Sequence, residues 1–193
     1  MKRRIENPCE AEMRFFTPDL YLRYNADHDS VADQAETEWE TAIQESKNDL
    51  NDFSDLMNPS VDFLARSFNP HDARILSIQE KNIHPFDKQS IVQPRPAVII
   101  SLKSSDTTYN IIYFLWNTIV YSAKPAYWPH SDLDKHRLYD EIDVETKSPF
   151  FPFFVHRILL SDGTVLAVPF FDVMIQSYTE SDPREELNSR KTA

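Results

Sequence analysis

The stretch Phe153-Phe154-Val155-His156-Arg157-Ile158-Leu159-Leu160-Ser161-Asp162-Gly163-Thr164-Val165-Leu166-Ala167-Val168 sets two apolar, branched runs on either side of Asp162-Gly163. Such runs suit a pleated surface, and Asp-Gly tolerates positive φ at both central positions of a two-residue hairpin turn. That turn predicts a register: Leu160 opposite Val165, Ile158 opposite Ala167, and Phe154 opposite Phe171. A β-hairpin therefore anchors the C-terminal half, with its second arm continuing to Tyr178.

Upstream, segments 73–80, 97–103, 107–122 and 137–145 are rich in the same residue types and are separated by turn formers. Ser104-Ser105-Asp106 is short enough to join the second and third directly, so the sheet is expected to be antiparallel. Along Arg137–Glu145, Leu138, Ile142 and Val144 alternate with Tyr139, Glu141, Asp143 and Glu145, which predicts one solvated face with helices on the other. Two irregular stretches, Asn82–Pro96 and Ala123–His136, interrupt the pattern.

Ahead of Pro70 the period is helical. Thr17-Pro18-Asp19-Leu20 combines a capping hydroxyl, a first-turn proline and an acid at the positive helix end. Ser30 with Asp33 offers the next cap, after which Val31, Ala35, Trp39, Ala42, Ile43, Leu50, Phe53 and Met57 recur at helical spacing. Asn58-Pro59 should end this helix, and a brief one is expected at 61–68. The fold class is α+β, N-terminal helices packed on a mainly antiparallel five- or six-stranded sheet. A single domain is expected over 13–179, between a flexible extension at 1–12 and a flexible tail at 180–193, with Met1 and Met13 both candidate starts.

Composition narrows function by exclusion. The 193 residues are 41% hydrophobic and 26% charged, an ordinary globular balance, and Gly163 is the only glycine. Phosphate-cradling loops, dinucleotide fingerprints and the serine nucleophile elbow all need more glycines than that, and no cofactor is expected. The formal charge of -11 repels nucleic acid and anionic membranes. Residues 1–60 hold 14 acids against 6 bases, so a net of -8 belongs to the N-terminal third. A lone Cys9 cannot make an internal disulfide, and neither a secretory signal nor a membrane-spanning run is present, which places the chain in the cytoplasm.

Three groups of residues carry candidate chemistry. Asp33, Glu36 and Glu40 belong to the acidic side of the long helix and could dock a basic protein. His130, Asp132, Asp134 and His136 alternate within seven residues; if extended, they share one side and offer nitrogen and oxygen ligands to zinc, manganese or iron, with Glu141 as a proton carrier. His71-Asp72 is the adjacent pair found in HD-type phosphohydrolases, but it precedes a strand rather than lying in a helical bundle, and Asp72 is expected to turn the chain. His156 is expected to be a hydrogen-bonded sheet residue, and Arg157 to meet Glu141 or Asp143 across strands. The aromatics crowded between Tyr109 and Trp128 read as sheet core.

Met13-Arg14-Phe15-Phe16-Thr17-Pro18-Asp19-Leu20-Tyr21, Tyr139-Asp140-Glu141-Ile142-Asp143 and His156-Arg157-Ile158-Leu159-Leu160-Ser161-Asp162-Gly163 together resemble a family of small bacterial α+β proteins of unknown function. The layout is also similar to that of bacterial immunity proteins, acidic domains that neutralise toxins by binding them. The resemblance implies no catalytic residues. The first reading is thus a non-catalytic protein-binding module with an acidic helical face. The alternative is a metal-dependent hydrolase using the His/Asp cluster, and a homo-oligomer formed through an exposed edge or aromatic patch is a third.

Overall fold

Gly163 adopts φ +81, and the hairpin closes around it through three residues, not two. Gly163 N donates to Leu160 O at 2.8 Å and Leu160 N to Thr164 O at 2.9 Å, so Ser161, Asp162 and Gly163 form the loop. A three-residue hairpin places its left-handed residue last, where glycine carries no penalty. The register is displaced by one from the two-residue expectation: Leu159 faces Val165, Ile158 faces Leu166, Arg157 faces Ala167, and Phe154 faces Phe170.

The computed structural model describes residues 11–83, 93–129, 134–146 and 152–179. Helices α1 (Pro18–Tyr24), α2 (Asp29–Asp52) and α3 (Pro59–Arg66) come first, with a 3-10 turn at Ser54–Leu56 between the last two. Seven strands follow: β1 (Arg74–Ile83), β2 (Arg95–Ser104), β3 (Thr107–Leu115), β4 (Val120–Tyr121), β5 (Arg137–Thr146), β6 (Phe153–Leu160) and β7 (Val165–Thr179). The α+β class and the antiparallel sheet are as expected; the seventh strand is the two-residue β4. Thr17 caps α1 as expected, accepting from Leu20 N at 3.2 Å. Ser30 does not cap α2, which begins at Asp29 behind His28, two residues earlier than a Ser30 cap would place it. The long helix ends at Asp52, earlier than Asn58-Pro59 suggested, and Asn58 instead caps α3, its side chain accepting from Ser60 N and Val61 N. No helix among the described residues is long and apolar enough to cross a membrane.

The strand order β1-β2-β3-β7-β6-β5 leaves β1 and β5 outermost, and the starts of these two strands meet. Arg74 bridges His136, Ile75 N donates to Lys135 O at 2.7 Å, and Arg137 N donates to Ala73 O at 3.0 Å. The sheet thus closes on itself at one end as an antiparallel barrel. Irregular registers at 75/77, 114/115, 137/139 and 144/146 supply the bends that closure demands.

Closure replaces the expected wet face by a second dry layer. Inside lie Ile100, Leu102, Ile111, Phe154, Ile158, Leu160, Leu166, Val168 and Phe170, plugged by Phe53 of the helical segment and Val61 and Leu64 of α3. Outside, Val155, Leu159, Val165 and Ala167 are covered by Leu20 of α1, by Ala35, Trp39 and Ala42 of α2, and by Trp128. Strand β6 is buried on both faces along nearly its whole length. The side carrying Tyr139 and Glu141, expected to face water, lies under α1 and α2, with the Trp39 and Tyr139 rings 4.5 Å apart edge to face.

Candidate functional site

In helix α2, Asp33, Glu36 and Glu40 follow at steps of three and four and so form one stripe, turned away from buried Ala35, Trp39 and Ala42. All three are exposed, and none has a side-chain partner among the described residues. Their acidic neighbours are engaged. Arg23 of α1 reaches Glu38 at 2.5 Å, and this hydrogen bond pulls the Glu38 carboxyl below its ordinary range. Arg14 joins Asp49 of α2 at 2.7 Å to Asp143 of β5 at 2.5 Å, tying the helix to the barrel wall.

That wall is a polar joint. Glu141 accepts from Arg14 N at 2.7 Å and Phe15 N at 3.0 Å, so a carboxylate clamps the backbone that leads into α1. Burial raises the Glu141 pKa, and the two amide bonds oppose that rise. Arg157 meets Asp143 at 2.7 Å, one of the two acids expected for it. Glu141, considered as a proton carrier, is an anchor here.

Inside the barrel a chain of four polar residues runs from wall to wall. Tyr113 Oη lies 2.8 Å from His156 Nδ1, His156 Nε2 lies 2.6 Å from Asp140, and the other Asp140 oxygen accepts from Arg137 Nη2. Burial pushes the Asp140 carboxyl up, but Arg137 and then the His156 hydrogen bond outweigh it and bring its pKa to about 2. Asp140 is therefore ionised and can only accept, so His156 donates to it from Nε2; in a neutral ring Nδ1 is then the acceptor for the Tyr113 proton. Burial raises the Tyr113 phenol well above its ordinary pKa. His156 is fully buried, which makes this an internal structural network, as expected of a sheet histidine.

The His/Asp cluster is divided. His130 and Asp132 lie outside the described residues, as do 1–10 of the N-terminal extension and all of 180–193. Asp134 pairs with Arg74 at 3.5 Å, whereas His136 Nδ1 lies 3.1 Å from Asp72 O and its amide donates to Ser161. Among the described residues no three His, Cys, Asp or Glu side chains are grouped to hold a metal ion. His71 Nδ1 sits 2.8 Å from Asp72, which takes φ +57 and turns the chain into β1 as expected.

No family model, curated protein or solved structure matches this chain. Two features of the barrel interior escaped the sequence reading. Asp140 shares its parity with Ile142 and Val144, so a carboxylate at an inward position was a readable sign of a buried partner. Arg137 carried no such mark: its guanidinium is 3% exposed and lies over the Phe68 ring, with Nε and Nη1 unpartnered among the described residues.

Proposed function

We propose that the chain is a non-catalytic protein-binding module, immunity-like in style, which engages a basic partner through the outward stripe of α2. One observation carries this reading: Asp33, Glu36 and Glu40 are exposed, with no partner among the described residues, on a helix whose opposite side is fixed to the barrel. A helix of 24 residues is about 36 Å long, and its inward anchors keep the stripe in place without help from a partner. Preorganised like charge favours fast, salt-sensitive association with a surface of opposite sign. The enzymatic alternative gains nothing from the buried network, in which His156 is fully buried and both its ring nitrogens are engaged. The lone Cys9 suits a reducing, cytoplasmic setting for such binding.

The test is crosslinking and mass spectrometry on the full chain, beside a variant combining Asp33→Lys, Glu36→Lys and Glu40→Lys. The expected result is a basic protein linked to the exposed side of α2, with capture lost in the variant and at about 0.5 M salt, where the screening length is only a few ångströms. Capture that survives both changes, or links that map to another face, refutes the reading.

A further inference from the structure

A cavity of about 290 Å3 opens between the second half of α2, the end of α3 and the outer edge of β5. Its apolar walls include Ile43, Leu50, Leu64, Phe68 and Ile142, and Arg137 closes one side. Lys47 and Arg66 also line it. Two acids are present, but both are already engaged: Asp140 by Arg137 and His156, Glu141 by the Arg14 and Phe15 amides. Lys47 has no partner among the described residues, and Arg66 is held by Asp62, Asn51 and the Leu50 carbonyl.

Arg137 is the unusual member. Asp140 uses only Nη2, leaving the Nε and Nη1 hydrogens buried without an acceptor, a state that folded proteins rarely leave uncompensated. The Phe68 ring lies 5.9 Å from the guanidinium carbon and separates this cavity from a second one of about 360 Å3, bounded by Pro59, Phe63, Tyr109 and Ile175. The two cavities share Phe68 in their linings, and an acceptor reaches the guanidinium only once that ring turns aside. An acceptor arriving there meets a desolvated cation, where a charge-assisted hydrogen bond is strong.

We propose that this cavity binds a small monocarboxylate with an apolar body, its carboxylate on the free donors of Arg137 and its hydrocarbon part against Ile43, Leu50 and Leu64. The volume suits a ligand of benzoate size, and the apolar lining with few convergent donors is what orients such molecules. Inorganic phosphate shares the charge but has nothing for the apolar wall.

The experiment titrates the full chain with benzoate while following the Arg137 Nε–H cross-peak by NMR, assigned through its loss in Arg137→Lys. Benzamide and inorganic phosphate serve as neutral and purely anionic comparisons. Benzoate should saturate the shift of that peak, with benzamide and phosphate at least about tenfold weaker because each lacks one half of the recognition. Ser46→Phe, which fills the cavity from α2 and leaves Arg137 in place, should weaken benzoate about tenfold or more and keeps the test decisive if Arg137→Lys does not fold. An Nε signal unmoved by benzoate at about 20 mM, or equal binding by Ser46→Phe, overturns the proposal. Phosphate binding as tightly as benzoate overturns the carboxylate class.

Discussion

Replacing Asp140 by Asn removes the counter-charge that Arg137, 3% exposed, has among the described residues, and keeps the side-chain shape. The effect has a computable pH dependence. Asp140 has an ordinary pKa of 3.8 and a folded value of about 2, and its side chain is only 20% exposed, so the shift corresponds to roughly 2 kcal/mol at 1.36 kcal/mol per unit. Because the folded value is depressed, this stability is complete above about pH 4 and is lost as pH falls through about 2. Asn resembles the protonated acid. Urea unfolding should therefore show Asp140→Asn less stable than the parent at pH 7 by roughly 2 kcal/mol, the interaction with Arg137 being already contained in that shift. The two curves should converge as pH approaches about 2. A deficit that stays constant with pH would mean that Asp140 is not an ionised anchor, and would refute the proton assignment of His156 that depends on it.

Gly163→Ala forces a side chain into φ +81 and sets its Cβ onto the Trp128 indole, whose Nε1 donates to Ser161 O at 2.7 Å. The expected loss is about 2–4 kcal/mol in urea unfolding with quenched or shifted Trp128 fluorescence; a change under ~1 kcal/mol would contradict the three-residue loop. Tyr113→Phe leaves His156 Nδ1 buried without its hydroxyl and should cost about 1–3 kcal/mol, measurable by the same unfolding titration. Thr17→Ala removes the cap of α1 and should cost about 1 kcal/mol, with amide exchange at Leu20 accelerating before that of the barrel.

The strands were legible because β-branched and aromatic runs separated by turn residues carry their own signature, and α1 was legible because Thr17-Pro18 is a local device. The hairpin register was not, since Asp162-Gly163 serves a two-residue loop and the last two positions of a three-residue loop equally well. Choosing between them depends on how Gly163 packs against Trp128, some thirty-five residues away in sequence. Closure was equally hidden. It depends on backbone bonds between Ala73–Ile75 and Lys135–Arg137, and backbone groups have no sequence preference to read. The alternation in β5 was read as a wet face because Glu141 and Asp143 are charged, yet both are consumed by Arg14, Phe15 and Arg157 beneath the helices. Charge marks a solvated face only when no partner covers it. His156 was the opposite case: aromatic neighbours point to a hydrogen-bonded sheet histidine, and both of its ring nitrogens are engaged.

The same test, whether a charge is spent, separates the acids of the N-terminal third. Glu38 and Asp49 face α1 and β5, and their neutralisation by Arg23 and Arg14 is internal to the fold, so they add little to the field outside it. Asp33, Glu36 and Glu40 have no such compensation among the described residues, and their mutual repulsion along one stripe is a cost to the helix. A cation brought by a partner would relieve that repulsion, whereas relieving it within the chain would take only one lysine or arginine a turn away. The nearest basic residue further along α2 is Lys47, which lines the Arg137 cavity instead. Charge reversal at Asp33, Glu36 and Glu40 should therefore leave folding intact while abolishing association. Reversal at Glu38 should loosen α1 from α2, and reversal at Asp49 should loosen α2 from the barrel, and that contrast distinguishes a surface kept for binding from one that is merely acidic.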